Sequence, residues 1–272
     1  MPDVSHDLSP PALAAAIEAN GAEFLLAMGR AGGGAERRDD RLHWTIGGSP
    51  IDYHNCVVRA DLAPDGADDA IRTWIDELRA RRLPGTWHVG PSMRPADLGE
   101  RLVRLGFTHA GDEIGMAMDL RRLPERVPAP DGLAIERVRD ERALATWAAT
   151  LANGFGEGER EASWVGATYA AIGLGDGVPW RHHLGLLAGE PVATSSLFLA
   201  AGVAGVYFVL TVPEARRRGI GAAITAAALR EARAMGFRVA VLGSSEMGEP
   251  VYRRLGFAEH CRIGIYELPS TT

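Results

Sequence analysis

The chain has 272 residues, 46% of them hydrophobic, and a formal net charge of −6 at pH 7. This composition is typical of a globular protein with one large domain or two of ordinary size. The acidic balance, without a basic stripe, argues against a nucleic-acid partner. All 29 basic residues are arginine, which excludes Schiff-base and phosphate-loop lysines.

The N-terminus and the cysteines indicate a cytoplasmic protein. The first residues lack the basic-then-apolar pattern of a signal peptide, and no apolar run reaches the roughly 18 residues of a membrane span. We therefore expect no membrane partner. Cys56 and Cys261 are far apart and have no CxxC spacing, so we expect two reduced structural thiols and no metal site.

The first half of the chain predicts one clear helix and one clear strand. Apolar residues at Ile71, Trp74, Ile75 and Leu78 have helical spacing, so residues 69–82 are predicted to form a helix. Residues 87–92 are predicted to form a strand.

A linker is predicted at residues 121–132, RRLPERVPAPDG, where three prolines lie in a polar stretch. It divides the chain into predicted domains 1–128 and 129–272. The second domain then predicts, in order, strand 133–138, helices 140–153 and 162–172, strands 183–187, 192–199 and 206–212, helix 220–235, strand 239–242, helix 250–255 and strand 262–268. This alternation implies a mixed α/β sheet.

The two halves resemble each other, which predicts a tandem repeat of one fold. The first half contains RLVRLGF followed by GMAMDL, and the second contains VYRRLGF followed by GIYEL. Between strand and helix the first copy reads APDGADD at residues 63–69, whose aspartates would repel a phosphate. We expect the first half to be structural or to help shape a substrate site.

Residues 211–222, TVPEARRRGIGA, are the most informative stretch of the second half. Glycines between a strand and a helix allow a ligand close to the backbone, and the free N–H groups at the helix start bind phosphate. A dinucleotide-binding turn fits poorly, because Ile224 occupies the third glycine position and six residues separate the strand from Gly219. An ATP loop fails because GK[ST] is absent.

The stretch Arg216-x-x-Gly219-x-Gly221 fits the pattern Arg/Gln-x-x-Gly-x-Gly/Ala and resembles the acyl-CoA pyrophosphate loop of the GNAT N-acetyltransferase superfamily. A second landmark of that family, a tyrosine just before a leucine-glycine-phenylalanine turn, corresponds to Tyr252 before residues 255–257. The resemblance covers residues 132–268 and extends to residues 1–120 as a degenerate copy. It implies an α/β fold of two tandem GNAT-like domains, each with a mixed central β-sheet flanked by helices.

The resemblance implies that the chain transfers an acetyl group from acetyl-CoA to an amine of a small molecule or peptide. We predict Tyr252 as the general acid, since a phenol with a pKa of about 10 is protonated at neutral pH; a core tyrosine bound to the backbone is the alternative. The implied cofactor contacts are Leu210, Thr211 and Val212 along the strand, Arg217, Arg218, Gly219, Ile220, Gly221 and Ala222 around the pyrophosphate, and Ser245, for which a turn-forming role is the alternative.

Several alternatives stay open at this point. Glu214, Glu246, Glu249 or a water could serve as the general base. His182 and His183 are neighbours in a strand, so we expect opposite faces, a surface or cleft position and no metal chelation. A non-catalytic acyl-CoA-binding sensor or scaffold is the second hypothesis, and a nicotinamide-dependent oxidoreductase is a distant third. Both a monomer and a homodimer fit the sequence.

Overall fold

The structure is a computed structural model that describes residues 4–154 and 158–270. Its first half contains α1 (Pro10–Ala31), β1 (Ala35–Arg38), β2 (Leu42–Ile46), β3 (Asn55–Ala60), α2 (Ala67–Arg81), β4 (Gly85–Val89), α3 (Leu98–Arg104) and β5 (Thr108–Asp119). The predicted helix 69–82 and strand 87–92 correspond to α2 and β4. The other elements of this half have no counterpart among the predicted helices and strands.

The second half contains β6 (Leu133–Arg137), α4 (Glu141–Ala152), α5 (Glu159–Ile172), β7 (Trp180–Leu187), β8 (Glu190–Ala200), β9 (Val203–Thr211), α6 (Ile220–Ala234), β10 (Val239–Ser244), α7 (Glu249–Leu255) and β11 (Ala258–Leu268). Every helix and strand predicted here is present, in the predicted order. The mixed α/β class predicted from the alternation is therefore confirmed.

Helix α1 corrects the expectation that no segment suits a membrane span. It is the one described helix that is long and apolar enough, with a mean hydropathy of 1.2 over an 18-residue window. In the fold, 44% of that window is buried, and Leu13, Ile17 and Asn20 are buried side chains. Length and composition of this kind are shared by buried core helices.

Contacts divide the chain into two compact units that do not follow the two sequence halves. Unit 1 comprises the residues up to Asn20 together with Gly115–His260, and unit 2 comprises Gly21–Ile114 together with the residues from Cys261 onward. The predicted boundary between residues 128 and 129 concerns the two sequence repeats, and as a boundary between repeats it stays a prediction. The compact units differ from it because the end of β5, residues 115–119, lies in unit 1 and most of β11, residues 261–268, lies in unit 2.

Unit 1 contains the strands in the order β5, β10, β9, β8, β7, β6. β9 and β10 are parallel, whereas β6 to β9 form an antiparallel meander. Helix α6 packs on β7, β8 and β9, and α4 packs on β7 and β8. The final residues of β5, 115–119, complete this sheet from the first half of the chain.

Unit 2 contains the strands in the order β1, β2, β3, β4, β11. β11 pairs antiparallel with β4, from Gly264 opposite Val89 to Leu268 opposite Gly85. The last strand of the chain therefore completes the sheet of the first half. A core around Trp74 and Trp87, whose rings meet edge to face at 6.0 Å, fills the space under α2.

Candidate functional site

The loop predicted to bind an anion connects β9 to α6 within unit 1. After Thr211 the chain makes a 3₁₀ turn at Pro213–Ala215, and Arg217 and Gly219 then adopt positive φ angles of 63° and 83°. Arg216 donates from Nε to the Thr211 carbonyl at 3.0 Å, which closes the loop on itself. The backbone thus turns sharply enough for α6 to begin at Ile220.

The first turn of α6 presents backbone donors that the helix itself leaves unused. The N–H groups of Ile220, Gly221 and Ala222 precede the first intrahelical bond, which Ala223 donates to the Gly219 carbonyl at 3.0 Å. Among the described residues, no side chain caps this end and no acidic residue lies in the first turn. The partial positive charge of the helix start is therefore available to an anion.

The loop arginines have separate positions. Arg217 and Arg218 are exposed, while the Arg216 Nε donates to the Thr211 carbonyl. The three loop arginines therefore add positive charge to the segment that leads into the first turn of α6. A role of Arg217 and Arg218 toward a phosphate stays a prediction.

Strand β9 diverges from its parallel neighbour before it reaches the loop. The register with β10 covers Ala204 and Gly205, whereas the register with β8 continues to Thr211 opposite Ala193. In the described part of the chain, residues 210–212 therefore pair with β8. This is the edge along which the resemblance places the pantetheine arm of the cofactor.

Tyr252 lies on α7 and is half-buried. Its ring meets Phe257 edge to face at 5.9 Å, and a Cβ at Gly248 would lie 3.0 Å from the ring, so glycine makes room for it. Burial raises the pKa of Tyr252 to about 12. No hydrogen bond of its hydroxyl is found among the described residues, and both the general acid and the alternative of a core tyrosine stay predictions.

Ser245 occupies the turn between β10 and α7. Its side chain is exposed, its Oγ accepts from the Gly248 N–H at 3.3 Å, and its carbonyl accepts from Gly248 and Glu249 at 3.0 Å each. These bonds are those of a turn-forming serine. A contact of Ser245 with the cofactor stays a prediction.

None of the candidate bases stands out in the structure. Glu214 and Glu246 are exposed, and Glu249 accepts from Arg253 Nε at 2.6 Å. The route of the amine proton therefore stays open.

The two histidines do point to opposite faces of the sheet, but neither lies at the surface. His182 is 2% exposed and contacts Ser196 Oγ through Nδ1 at 2.7 Å, among the rings of Trp147 and Tyr169. His183 is 5% exposed and contacts Glu231 of α6 at 2.8 Å. The predicted surface or cleft position is wrong, because helices cover both faces of β7.

The charged cluster around Glu231 was not predicted. Glu231 accepts from His183 and from Arg137, and Arg181 lies 3.8 Å away. The cluster joins residues of three separate elements, β6, β7 and α6. The positions of His182 and His183 within one strand could not predict these contacts. Both cysteines are free thiols, as expected, and the described residues contain no group of three or more potential metal ligands.

Comparisons with known proteins agree with this geometry. Residues 199–260, from the end of β8 through β9, the loop, α6 and α7, match the family described as acetyltransferase (GNAT) domain. No curated protein matches the chain in sequence.

Solved structures share the fold at low sequence identity. A GCN5-related N-acetyltransferase from Kribbella flavida is 20% identical with a TM-score of 0.72, over 92% of this chain and 96% of that one. A functionally unknown conserved protein from Staphylococcus epidermidis is 14% identical with a TM-score of 0.63, over 88% and 95%. A tandem GNAT protein from the clavulanic acid biosynthesis pathway is 17% identical with a TM-score of 0.58, over 88% and 79%. Residues 199–260 therefore match the model of a GNAT acetyltransferase domain, and the chain shares its mixed α/β fold with GNAT structures, one of them a tandem GNAT protein.

Proposed function

We propose that the chain is an acyl-CoA-dependent N-acyltransferase that uses acetyl-CoA and acts through the loop between β9 and α6. The observation that carries this proposal is the uncapped start of α6. Three backbone donors, exposed arginines and the diverging edge of β9 adjoin there. Together they suit a ligand with a pyrophosphate and an extended amide-bearing arm.

Transfer proceeds by direct attack in the proposed reaction. The neutral amine nitrogen attacks the thioester carbonyl carbon, a C–N bond forms, and the C–S bond breaks as the tetrahedral intermediate collapses. Tyr252 donates its phenolic proton to the departing thiolate and regains one from solvent. The amine proton leaves to water, since no carboxylate is assigned as base.

The environment of Tyr252 supports this role. The hydroxyl is not committed to a described residue, and a pKa of about 12 keeps it protonated throughout the physiological range. Tyr252 and Ser245 flank the start of α7, which follows β10 directly and contacts α6. The phenol therefore belongs to the same unit as the loop.

The acceptor is proposed only as a class. A small-molecule or peptide amine fits the general activity of the family, and substrate loops vary most in such folds. Monomer and homodimer both remain compatible with a site contained in unit 1. The proposal includes neither a nucleic acid nor a membrane as partner.

Acetyl-CoA-dependent release of free thiol, measured across a panel of polyamines, amino-acid derivatives, aminoglycosides and peptides, tests the function. The proposal expects turnover with at least one amine and none without acetyl-CoA. Tight binding of CoA in a calorimeter with no turnover across the panel would instead support the non-catalytic sensor or scaffold. Stabilisation by NADH but not by CoA would support the oxidoreductase hypothesis.

A further inference from the structure

Asn20, on helix α1, is fully buried and binds the sheet that carries the proposed cofactor strand. Its Nδ2 donates to the carbonyls of Phe198 at 3.3 Å and Ala200 at 3.0 Å, both on β8. Its Oδ1 accepts from the Tyr207 hydroxyl on β9 at 2.7 Å. One amide thus links an N-terminal helix to two strands of unit 1.

The sheet is shaped to receive this amide. A Cβ at Gly205 of β9 would lie 1.9 Å from Asn20 Oδ1, so only glycine leaves the space. The N–H of Ser5 also donates to the Gly202 carbonyl at 3.0 Å, in the turn between β8 and β9. The N-terminal segment therefore packs against this hairpin at two separate points.

Tyr207 stands next to an irregularity in β9. Ser196 pairs with Tyr207, but Thr194 pairs with Leu210, so β9 carries one extra residue there. Phe208 within this bulge has a φ of 50°, a left-handed conformation that is strained for a bulky residue. Such a backbone persists only where its surroundings hold it.

Two side-chain bonds hold the bulge from either side. Thr194 Oγ1 donates to the Phe208 carbonyl at 2.8 Å, and the Tyr207 hydroxyl donates to Asn20. The bulge sets the direction of the residues that follow it, which are Leu210, Thr211 and Val212. These residues form the edge proposed to pair with the cofactor.

We infer that Asn20 is a positioning residue for acyl-CoA binding, and that it acts through Tyr207 on the bulge of β9. The inference rests on the proposed function. It gives the N-terminal helix a part in the active unit, although the phosphate loop lies nearly 200 residues further along the chain. Its contribution is to keep the strand edge in the direction that the pantetheine arm requires.

The variants Tyr207→Phe and Asn20→Ala test the inference. Tyr207→Phe removes one oxygen and keeps the ring, so it folds even if Asn20→Ala does not. Asn55→Ala is the matched control, because Asn55 is also fully buried and donates to the carbonyls of Ser49, Ile51 and Pro84 at 2.8–3.2 Å, all in unit 2.

The inference expects Tyr207→Phe and Asn20→Ala to raise the KM for acetyl-CoA and the calorimetric Kd for CoA about tenfold, with kcat at saturating acetyl-CoA changed less. The double variant should lose no more affinity than Asn20→Ala alone. Asn55→Ala should lose stability but keep the wild-type Kd. Amide hydrogens of residues 208–212 should exchange faster in Tyr207→Phe than in the wild type.

The failures of the two proposals look different. A wild-type protein that binds no CoA contradicts the proposed function and the inference with it. A wild type that binds CoA, with an unchanged Kd in Tyr207→Phe and Asn20→Ala, overturns the inference alone. An equal loss of affinity in Asn55→Ala also overturns it, since that result assigns the effect to general destabilisation.

Discussion

Gly219 and Gly221 stand two residues apart, and the structure gives them different reasons to be glycine. Gly219 has a φ of 83°, and a Cβ there would lie 3.0 Å from the Pro128 carbonyl. Gly221 lies within α6, and a Cβ there would make an ordinary contact with Thr211 Oγ1 at 3.5 Å. Gly219 is needed because the backbone there is left-handed, whereas Gly221 leaves space beside Thr211 at the end of β9.

We therefore expect Gly219→Ala to lower the free energy of unfolding by about 1–2 kcal/mol, the cost of a left-handed residue with a side chain. Gly221→Ala should leave it unchanged or raise it slightly, since alanine favours a helix. Urea denaturation measures both. Gly221→Asp should instead weaken CoA binding at least tenfold, because its carboxylate would repel a pyrophosphate at the start of α6, and an unaltered Kd would remove Gly221 from the proposed cradle.

Tyr252→Phe tests the proposed general acid. Loss of a proton donor typically costs about 10²–10⁴-fold in rate, so kcat should fall by at least a hundredfold while the Kd for CoA stays the same. Because burial raises the pKa of Tyr252 to about 12, the wild type should show no loss of kcat from this group between pH 7 and 10. Equal turnover of the two proteins at every pH would mean that another donor protonates the thiolate.

The burial of His182 leads us to expect that the protein loses stability in acid. Burial, with a smaller contribution from the positive charges of His183, Arg137 and Arg181, lowers the pKa of His182 to about 3, whereas an unfolded histidine has a pKa of about 6.5. Between these values the unfolded chain binds the extra proton, so stability falls as the pH falls. From pH 6.5 to 5 the loss attributable to His182 is about 2 kcal/mol.

Urea denaturation at several pH values measures this dependence. The variant His182→Gln should show a shallower loss between pH 6.5 and 5, even if it is less stable at pH 7. His109→Gln serves as the control, because the His109 side chain is 43% exposed. Equal slopes for wild type and His182→Gln would show that His182 is not buried as a neutral group.

At the scale of elements, the local sequence pattern was sufficient to predict the helices and strands of the second half of the chain. Predicted boundaries lie within four residues of the observed ones, because apolar periodicity and turn residues such as Gly189 are local signals. The roles of the loop and of Tyr252 were predicted from the resemblance of two short motifs to those of a family, and they stay predictions. Helix α1 was missed because its apolar residues surround it and give little periodicity.

The features that escaped prediction depend on contacts between distant residues. The bulge at Phe208 lies in a run, VYFVL, that reads as an ordinary strand. The burial of His182 and His183 depends on α4, α5 and α6, and the completion of each sheet by the last strand of the other half depends on pairings across more than 100 residues. No local pattern in the sequence encodes these pairings.

The end of β5 is fixed to unit 1 by a forked ion pair. Arg238 donates from Nε and Nη2 to the two carboxylate oxygens of Asp119 at 2.6 and 2.8 Å, and the Leu120 N–H donates to the Arg238 carbonyl at 2.9 Å. The Arg238 guanidinium holds the pKa of Asp119 below its usual value. This pair lies at the junction of β5 with β10.

Asp119→Asn should therefore lower the free energy of unfolding by about 1–3 kcal/mol, as expected for a half-buried hydrogen bond to a charged group. Asp69→Asn is the control, because the Asp69 carboxylate is 84% exposed in its pair with Arg72 and exposed pairs contribute little. Chemical denaturation of the two variants measures both effects. Equal effects of the two substitutions would show that the Asp119 fork does not anchor β5.

At the scale of the whole molecule, the two halves repeat a fold but not a site. The helix of the first half that corresponds to α6 is α2, and it carries Asp68 and Asp69 in its first turn. Asp68 is paired with Arg101 at 2.8 Å. Acidic side chains thus occupy the place where α6 offers unused donors, and the chain is expected to bind one acyl-CoA.

Calorimetric titration of the intact chain with CoA, and separately with NADH, tests the central claim most directly. The account predicts saturable CoA binding with one site per chain, abolished or strongly weakened in Gly221→Asp, and no heat of binding with NADH. Absence of CoA binding, two CoA sites per chain, or binding of NADH in place of CoA would contradict it.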